Sequence, residues 1–270
     1  MLVSVRFISR MWLFCALSSV SAIASAAVTV LPSTHALSLV IKEVAGETFV
    51  PLLPANVSPH DFSLKPSHIR RLQKAELVVW LGPELEPYLA KVMLHIPKHK
   101  QFIINRGRSA LKYGEHPWTS PEYLLQGLQQ LSQHLNKPWS SKTWVQQMNN
   151  LHEELFFHRR SLQEKNQGYL VYHDGIGGFE AYFGLTHLAS FTNADDQPPG
   201  AKQLAMIEQL ANEQKVACIL TDHEVRPKLV NAVLKPSIKR VAIDILAANS
   251  TSIIGYITQL QQAILSCGKV

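Results

Sequence analysis

Short apolar runs recur along the chain. In the first half they are AVTVLP (Ala27–Pro32), TFVPLLP (Thr48–Pro54), LVVWLG (Leu77–Gly82) and QFIIN (Gln101–Asn105). In the second half they are YLVYHD (Tyr169–Asp174), LASFT (Leu188–Thr192), VACILTD (Val216–Asp222) and RVAID (Arg240–Asp244). Most are continuous rather than alternating, the pattern of strands covered on both faces. Helical patterns separate them, such as THALSLVIKEVAG, PSHIRRLQKA and GAKQLAMIEQLANEQK. Strand and helix in alternation predict an α/β fold of two Rossmann-like lobes, each with a mainly parallel four-stranded sheet.

Between the halves lies SSKTWVQQMNNLHEELFFHRRSLQEKNQG, Ser140 to Gly168. Ser140 or Ser141 can cap it and Gly168 can end it. Trp144, Met148, Leu151 and Leu155 fall on one face at helical spacing, and the interior contains neither Pro nor Gly. One long helix is predicted to bridge the lobes. The expected organisation is a leader at 1–26, an N-terminal lobe at 27–138, a linking helix at 139–167 and a C-terminal lobe at 168–270.

The leader reading rests on Arg6 and Arg10, the apolar stretch Met11–Val20 and the small residues Ala24-Ser25-Ala26. These are the parts of a secretory signal peptide, too short in its apolar run to span a bilayer. Trp12, Leu13 and Phe14 are too bulky before Cys15 for a lipoprotein signal. The formal net charge of +6 includes the two leader arginines. What remains is mild, without a clustered basic face, and does not point to nucleic acid. Beyond the leader, Cys218 and Cys267 form an even pair in an exported chain, which suggests a disulfide; two free buried thiols are the alternative.

The candidate chemistry gathers at strand ends. His60 follows the second run, in SPHDF. His116 follows the fourth, in YGEHPWTSPE, just before a helix that Ser120 can cap with Pro121 in its first turn. His173 ends the first run of the second half, Asp222 and His223 end the third, and Asp244 ends the fourth. In open α/β sheets ligands sit outside the carboxyl ends of the strands, so these residues are expected in one cleft. Three imidazoles and a carboxylate suit Zn²⁺, whereas more carboxylates would move the preference toward Mn²⁺, Mg²⁺ or Ca²⁺.

Five segments carry a family resemblance: SPHDFSLKPSHIRRLQKAELVVWLGPELE, HPWTSPE, GYLVYHDGIGGFEAYFGL, PPGAKQL and CILTDHEVRP. Together they resemble the periplasmic solute-binding proteins of zinc and manganese ABC transporters, most closely the ZnuA-type zinc binders, over nearly the whole mature chain. The resemblance implies two lobes on a backbone helix, with metal ligands at His60, His116 and His173, and a fourth position, an aspartate in some members and water or nothing in others, that falls on Asp244. It implies that Asp222 supports a ligand imidazole from behind, and it pairs Cys218 with Cys267. His173 stands where zinc members have histidine and many manganese members have glutamate. Three features depart from the family pattern. The stretch before His116, RGRSALKYGE, is short and basic instead of long and rich in histidine and acids. Pro117 replaces leucine, and His223 replaces proline, which makes His223 a further ligand candidate.

The expected function is capture of Zn²⁺, as transported ligand, in the periplasm and its delivery by a monomer to an inner-membrane ABC permease and its ATPase. A manganese or mixed-metal binder of the same family is the alternative. A zinc hydrolase is the rival from another class, and the chain lacks an H-E-x-x-H motif for it. An adhesin-like or storage role on the same scaffold is the third reading. The remaining histidines, His68, His95, His99, His134, His152 and His158, read as surface groups, with His35 and His187 undecided.

Overall fold

The structure is a computed structural model and describes residues 29–59, 62–105, 113–192 and 198–268. The leader reading, His60 and most of the basic stretch before His116 lie outside the described residues. No helix among the described residues is long and apolar enough to cross a membrane.

The first sheet contains β1 (Val30–Pro32), β2 (Leu77–Trp80) and β3 (Gln101–Ile103), in that order and all parallel. The second contains β4 (Gly168–His173), β5 (Ala189–Thr192), β6 (Val216–Thr221) and β7 (Lys239–Ala242), ordered β5-β4-β6-β7 and again all parallel. Helices α1 (His35–Ala45), α2 (Pro66–Lys74), α3 (Pro87–Met93) and α4 (Pro121–His134) accompany the first sheet. After the long α5 (Ser141–Glu164), helices α6 (Gly177–Phe183), α7 (Ala201–Asn212), α8 (Pro227–Val233) and α9 (Ile253–Ser266) accompany the second.

The continuous apolar runs are explained by burial on both faces. In β2, Leu77 and Val79 enter one core while Val78 and Trp80 enter another. In β4, Tyr169 and Val171 face the first of these cores and Leu170 and Tyr172 face a third. Side chains alternate across a strand, so a run apolar at every position fills two layers. The shared core is continuous from α1 and α4, through Trp144, Met148, Leu151 and Leu155 of α5, to Ile253, Tyr256 and Ile257 of α9. The predicted stripe on α5 is therefore core.

Among the described residues the first sheet has three strands rather than the expected four. The run Thr48–Pro54 is buried at Leu52 and Leu53 but forms no strand. Its backbone adds two hydrogen bonds beside the end of β1, Leu52 N–H to Pro32 O (2.8 Å) and Leu53 N–H to Ser33 O (3.0 Å). Pro51 and Pro54 lack an N–H, so the ladder cannot extend. The end of α5 also differs from expectation. Ser140 caps its start, accepting from Lys142 N–H, but the helix stops at Glu164 and Asn166 turns it with φ 53°. Gly168 instead opens β4.

Cys218 of β6 and Cys267 after α9 are fully buried and joined by a disulfide. Closing a loop of 49 residues stabilises the fold by about 4 kcal/mol on the chain-entropy model. In the first lobe, Glu86 closes the strand ends. It is fully buried and accepts from Ser33 Oγ (2.9 Å), Leu81 N–H (2.7 Å) and Tyr88 Oη (2.7 Å). Burial raises its pKa, against the lowering effect of those three donors.

A second buried acid makes a pH-sensitive contact. Glu180 accepts from Tyr169 Oη (2.6 Å) and pairs with His187 Nδ1 (2.9 Å) just before β5. Burial lowers the pKa of His187, but the hydrogen bond to Glu180 and the charges of Glu180 and Asp174 outweigh it, and the net shift is upward. A raised pKa means that the contact stabilises fully below the unfolded value of about 6.5 and fades as pH rises through the folded one. Metal-stripped wild type is expected to lose on the order of 1 kcal/mol more stability than His187→Gln between about pH 6 and pH 8. Urea titrations across that range check it; parallel pH profiles would refute it.

Candidate metal centre

His116 is presented by a tight turn. It precedes the single 3₁₀ turn Pro117–Thr119, and its carbonyl accepts from Thr119 N–H (3.0 Å) and Thr119 Oγ1 (2.9 Å). Pro117 supplies the fixed φ that opens the turn. Ser120 then caps α4, accepting from Tyr123 N–H (3.3 Å), with Pro121 at the first position as the sequence suggested. Trp118, in the middle of the turn, is 1% exposed and donates from Nε1 to Ile245 O (2.8 Å) in the loop after β7.

His173 ends β4, opposite Thr192 of β5. Like His116 it is buried. The two rings meet across the lobes with centroids 5.0 Å apart and planes at 81°. Two imidazoles on one tetrahedral zinc, with Zn–N near 2.0–2.1 Å, place their centroids about 5 Å apart. The pair is thus spaced as two ligands of one ion would be.

The backbone after His173 is close-fitted. Gly175 N–H returns to His173 O (2.9 Å). A Cβ on Gly175 would fall 2.7 Å from His173 Cδ2 and 2.8 Å from Ile245 Cδ1. A Cβ on Gly178, at the start of α6, would fall 2.8 Å from Ser120 Cβ. Only glycine lets these loops approach so closely.

The sequence-predicted set is brought together in part. His116 and His173 are in contact. His60 lies outside the described residues, but its neighbour Pro59 lines a crevice with His35, Trp118 and Leu246, beside the turn that carries His116. Among the described residues, no three His, Cys, Asp or Glu side chains converge as a metal-holding group. Asp244 is half-buried two residues beyond β7, and its Oδ2 accepts from Asn249 N–H (2.8 Å) and Asn249 Nδ2 (3.3 Å). Asp222 is buried, and its Oδ1 accepts from Glu224 N–H (2.8 Å). His223 is exposed, with Nε2 3.6 Å from Glu224 Oε1.

Glu224 itself was missed by sequence reasoning. Its Oε2 lies 3.8 Å from His173 Nδ1. The available signal was an acid two residues past Asp222 in a strand-end loop. His35 is a contact between the lobes, with Nε2 3.1 Å from Ser250 O. His95, His99, His134 and His152 are exposed as expected, while His68 and His158 are half-buried.

Two parallel α/β sheets share one core along a long helix, with a buried histidine from each side. The sequence comparisons give the family. The family model for the zinc-uptake complex component A, periplasmic (ZnuA), matches residues 30–266, and the chain belongs to that family. It is 28% identical over 270 residues to the high-affinity zinc uptake system protein ZnuA of Yersinia pestis, covering 81% of this chain and 83% of the relative. It is 30% identical over 231 residues to the protein of the same name from Haemophilus ducreyi, covering 70% and 74%. The solved periplasmic zinc binding protein TroA from Treponema pallidum shares the fold, with TM-score 0.68 and 15% identity over 89% of this chain and 99% of that one. Membership places the chain among non-enzymatic binding components of uptake systems, with a periplasmic location.

The close fit at Gly175 makes a direct test. Gly175→Ala is expected to displace the His173 ring and to cost about 1–3 kcal/mol by overpacking. Gly177→Ala, where a Cβ meets nothing within 4 Å, is the control and should be near neutral. Urea unfolding with histidine ring NMR shifts reads both effects; an unshifted His173 ring in Gly175→Ala would contradict the packing argument.

Proposed function

We propose that this chain is the high-affinity periplasmic zinc-binding component of an ABC transporter. In this reading the mature chain begins after a signal peptide at 1–26. Its lobes, 27–138 and 168–270, are joined by the helix at 139–167. Zn²⁺ is captured between the lobes by His60, His116 and His173, with Asp244 as the fourth ligand, and is passed to an inner-membrane permease driven by its ATPase. The protein works as a monomer and has no nucleic-acid partner.

The observation that carries the reading is the buried His116–His173 contact, with centroids at 5.0 Å. Imidazole nitrogen favours zinc over manganese, on intrinsic affinity and on ligand hardness. Burial of both rings supports a site that removes the ion from water, which suits capture and carriage. A manganese or mixed-metal binder is the second reading, because acids stand close by in Asp222, Glu224 and Asp244.

The test is a competition titration of metal-stripped protein against a zinc chelator, repeated with Mn²⁺. Wild type is expected to bind one Zn²⁺ and to prefer it to Mn²⁺. His173→Ala should lose about 100-fold or more, because removing a ligand costs at least as much as the 10–100-fold typical of removing its hydrogen-bond partner. His173→Glu should lose more zinc than manganese affinity, narrowing the gap. Unchanged zinc affinity in His173→Ala would remove His173 from the site. Equal wild-type affinity for both metals would favour the mixed-metal binder.

A further inference from the structure

We propose that Glu224 is the positioning residue for His173: its carboxylate holds the Nδ1 side of the ring and so presents Nε2 to the ion. The proposal rests on the zinc-capture reading and adds a residue that the family resemblance does not supply.

Topology brings the two residues together. In the order β5-β4-β6-β7 the chain leaves β4 toward β5 on one side and returns to β6 on the other. The carboxyl ends of β4 and β6 therefore flank the point where the strand order reverses, the place where open α/β sheets bind ligands. His173 is the last residue of β4, and Glu224 is the third residue after β6.

Local geometry does the rest. Asp222 Oδ1 accepts the Glu224 N–H at 2.8 Å, a side-chain-to-backbone bond from residue i to i+2 that folds the strand end into a turn. The turn points the Glu224 side chain back at the sheet. Oε2 comes within 3.8 Å of His173 Nδ1, and Oε1 within 3.6 Å of His223 Nε2. The partners differ in exposure: 4% for the His173 side chain, 27% for Glu224 and 47% for His223. The carboxylate thus sits between a buried imidazole on the inside and an exposed one on the outside.

The chemistry follows from the two nitrogens of the ring. A neutral imidazole that binds a metal through one nitrogen carries its proton on the other, and a carboxylate beside that proton fixes both tautomer and ring orientation. A carboxylate at Nδ1 leaves Nε2 as the donor to the ion. At 3.8 Å the half-buried Glu224 carboxylate lies beside the Nδ1 edge of the ring. Asp244 is engaged differently, through the two hydrogen bonds from Asn249.

The experiment uses the full mature chain, stripped of metal and titrated with Zn²⁺ alone. Alongside it, ¹⁵N-detected long-range NMR reads which His173 nitrogen carries the proton. Glu224→Ala is expected to lower zinc affinity about 10–100-fold and to mix the His173 tautomers. Glu224→Gln keeps an acceptor oxygen, so it should retain the Nδ1–H tautomer and lose less affinity than the alanine variant. Melting curves of the metal-free variants confirm that the fold is kept. Wild type that binds zinc while Glu224→Ala matches it in both affinity and tautomer overturns the proposal. Equal losses in both variants with an unchanged tautomer overturn it too, and would make Glu224 a ligand or a purely electrostatic partner. If wild type fails to bind zinc, the capture reading falls, and the tautomer of His173 in Glu224→Ala still decides whether Glu224 sets the ring.

Discussion

The carbonyl of Ile245 accepts two buried hydrogen bonds, from Trp118 Nε1 at 2.8 Å and from Tyr256 Oη at 3.0 Å. One donor belongs to the turn that carries His116, and the other to α9 in the opposite lobe. A carbonyl has two lone pairs, and here both are used. Leaving either donor unsatisfied in this apolar setting would cost about 1–3 kcal/mol. The Ile245 side chain meanwhile lies against the backbone next to His173, where only glycine fits. One residue therefore touches the turn that carries His116 and the backbone next to His173.

Around this joint the lobes are held at several points. His35 Nε2 reaches Ser250 O, and Lys42 Nζ donates to Thr251 O, so α1 holds the loop that leads into α9. Gln261 of α9 donates to Glu154 on α5. The core runs without a break from one sheet to the other along α5. Hinge motion would have to break buried contacts as well as surface ones. Packing of this kind holds the His116 and His173 rings at their spacing, and such preorganisation lowers the ordering cost of any binding there.

Two of the three departures from the family pattern have local settings in the structure. Pro117 opens the turn that buries Trp118 and presents His116. His223, in place of a proline, is exposed and lies on the outer side of Glu224. In this loop Asp222 Oδ1 takes the Glu224 N–H at 2.8 Å. Glu224 Oε2 lies 3.8 Å from His173 Nδ1.

The sequence by itself determined the strands that are apolar at every position, because a run that must fill two layers has no polar gaps. It determined the stripe Trp144, Met148, Leu151, Leu155, because helical spacing is a local property. The Ser120-Pro121 helix start was legible for the same reason, and the cap of the long helix was narrowed to Ser140 or Ser141. Placement at strand ends made His116 and His173 candidates, and the even pair Cys218 and Cys267, with the family resemblance, pointed to their disulfide. Tertiary structure decided the rest. The run Thr48–Pro54 is buried like a strand, yet two prolines leave it only two ladder hydrogen bonds, and whether those suffice depends on its neighbour. Gly175 and Gly178 read as loop glycines until His173 and Ser120 are placed against them. Glu224 reads as a solvated acid until the order β5-β4-β6-β7 sets the end of β6 beside the end of β4. Strand order and close approach are relations between residues distant in the chain, and no local pattern of hydrophobic and polar positions encodes them.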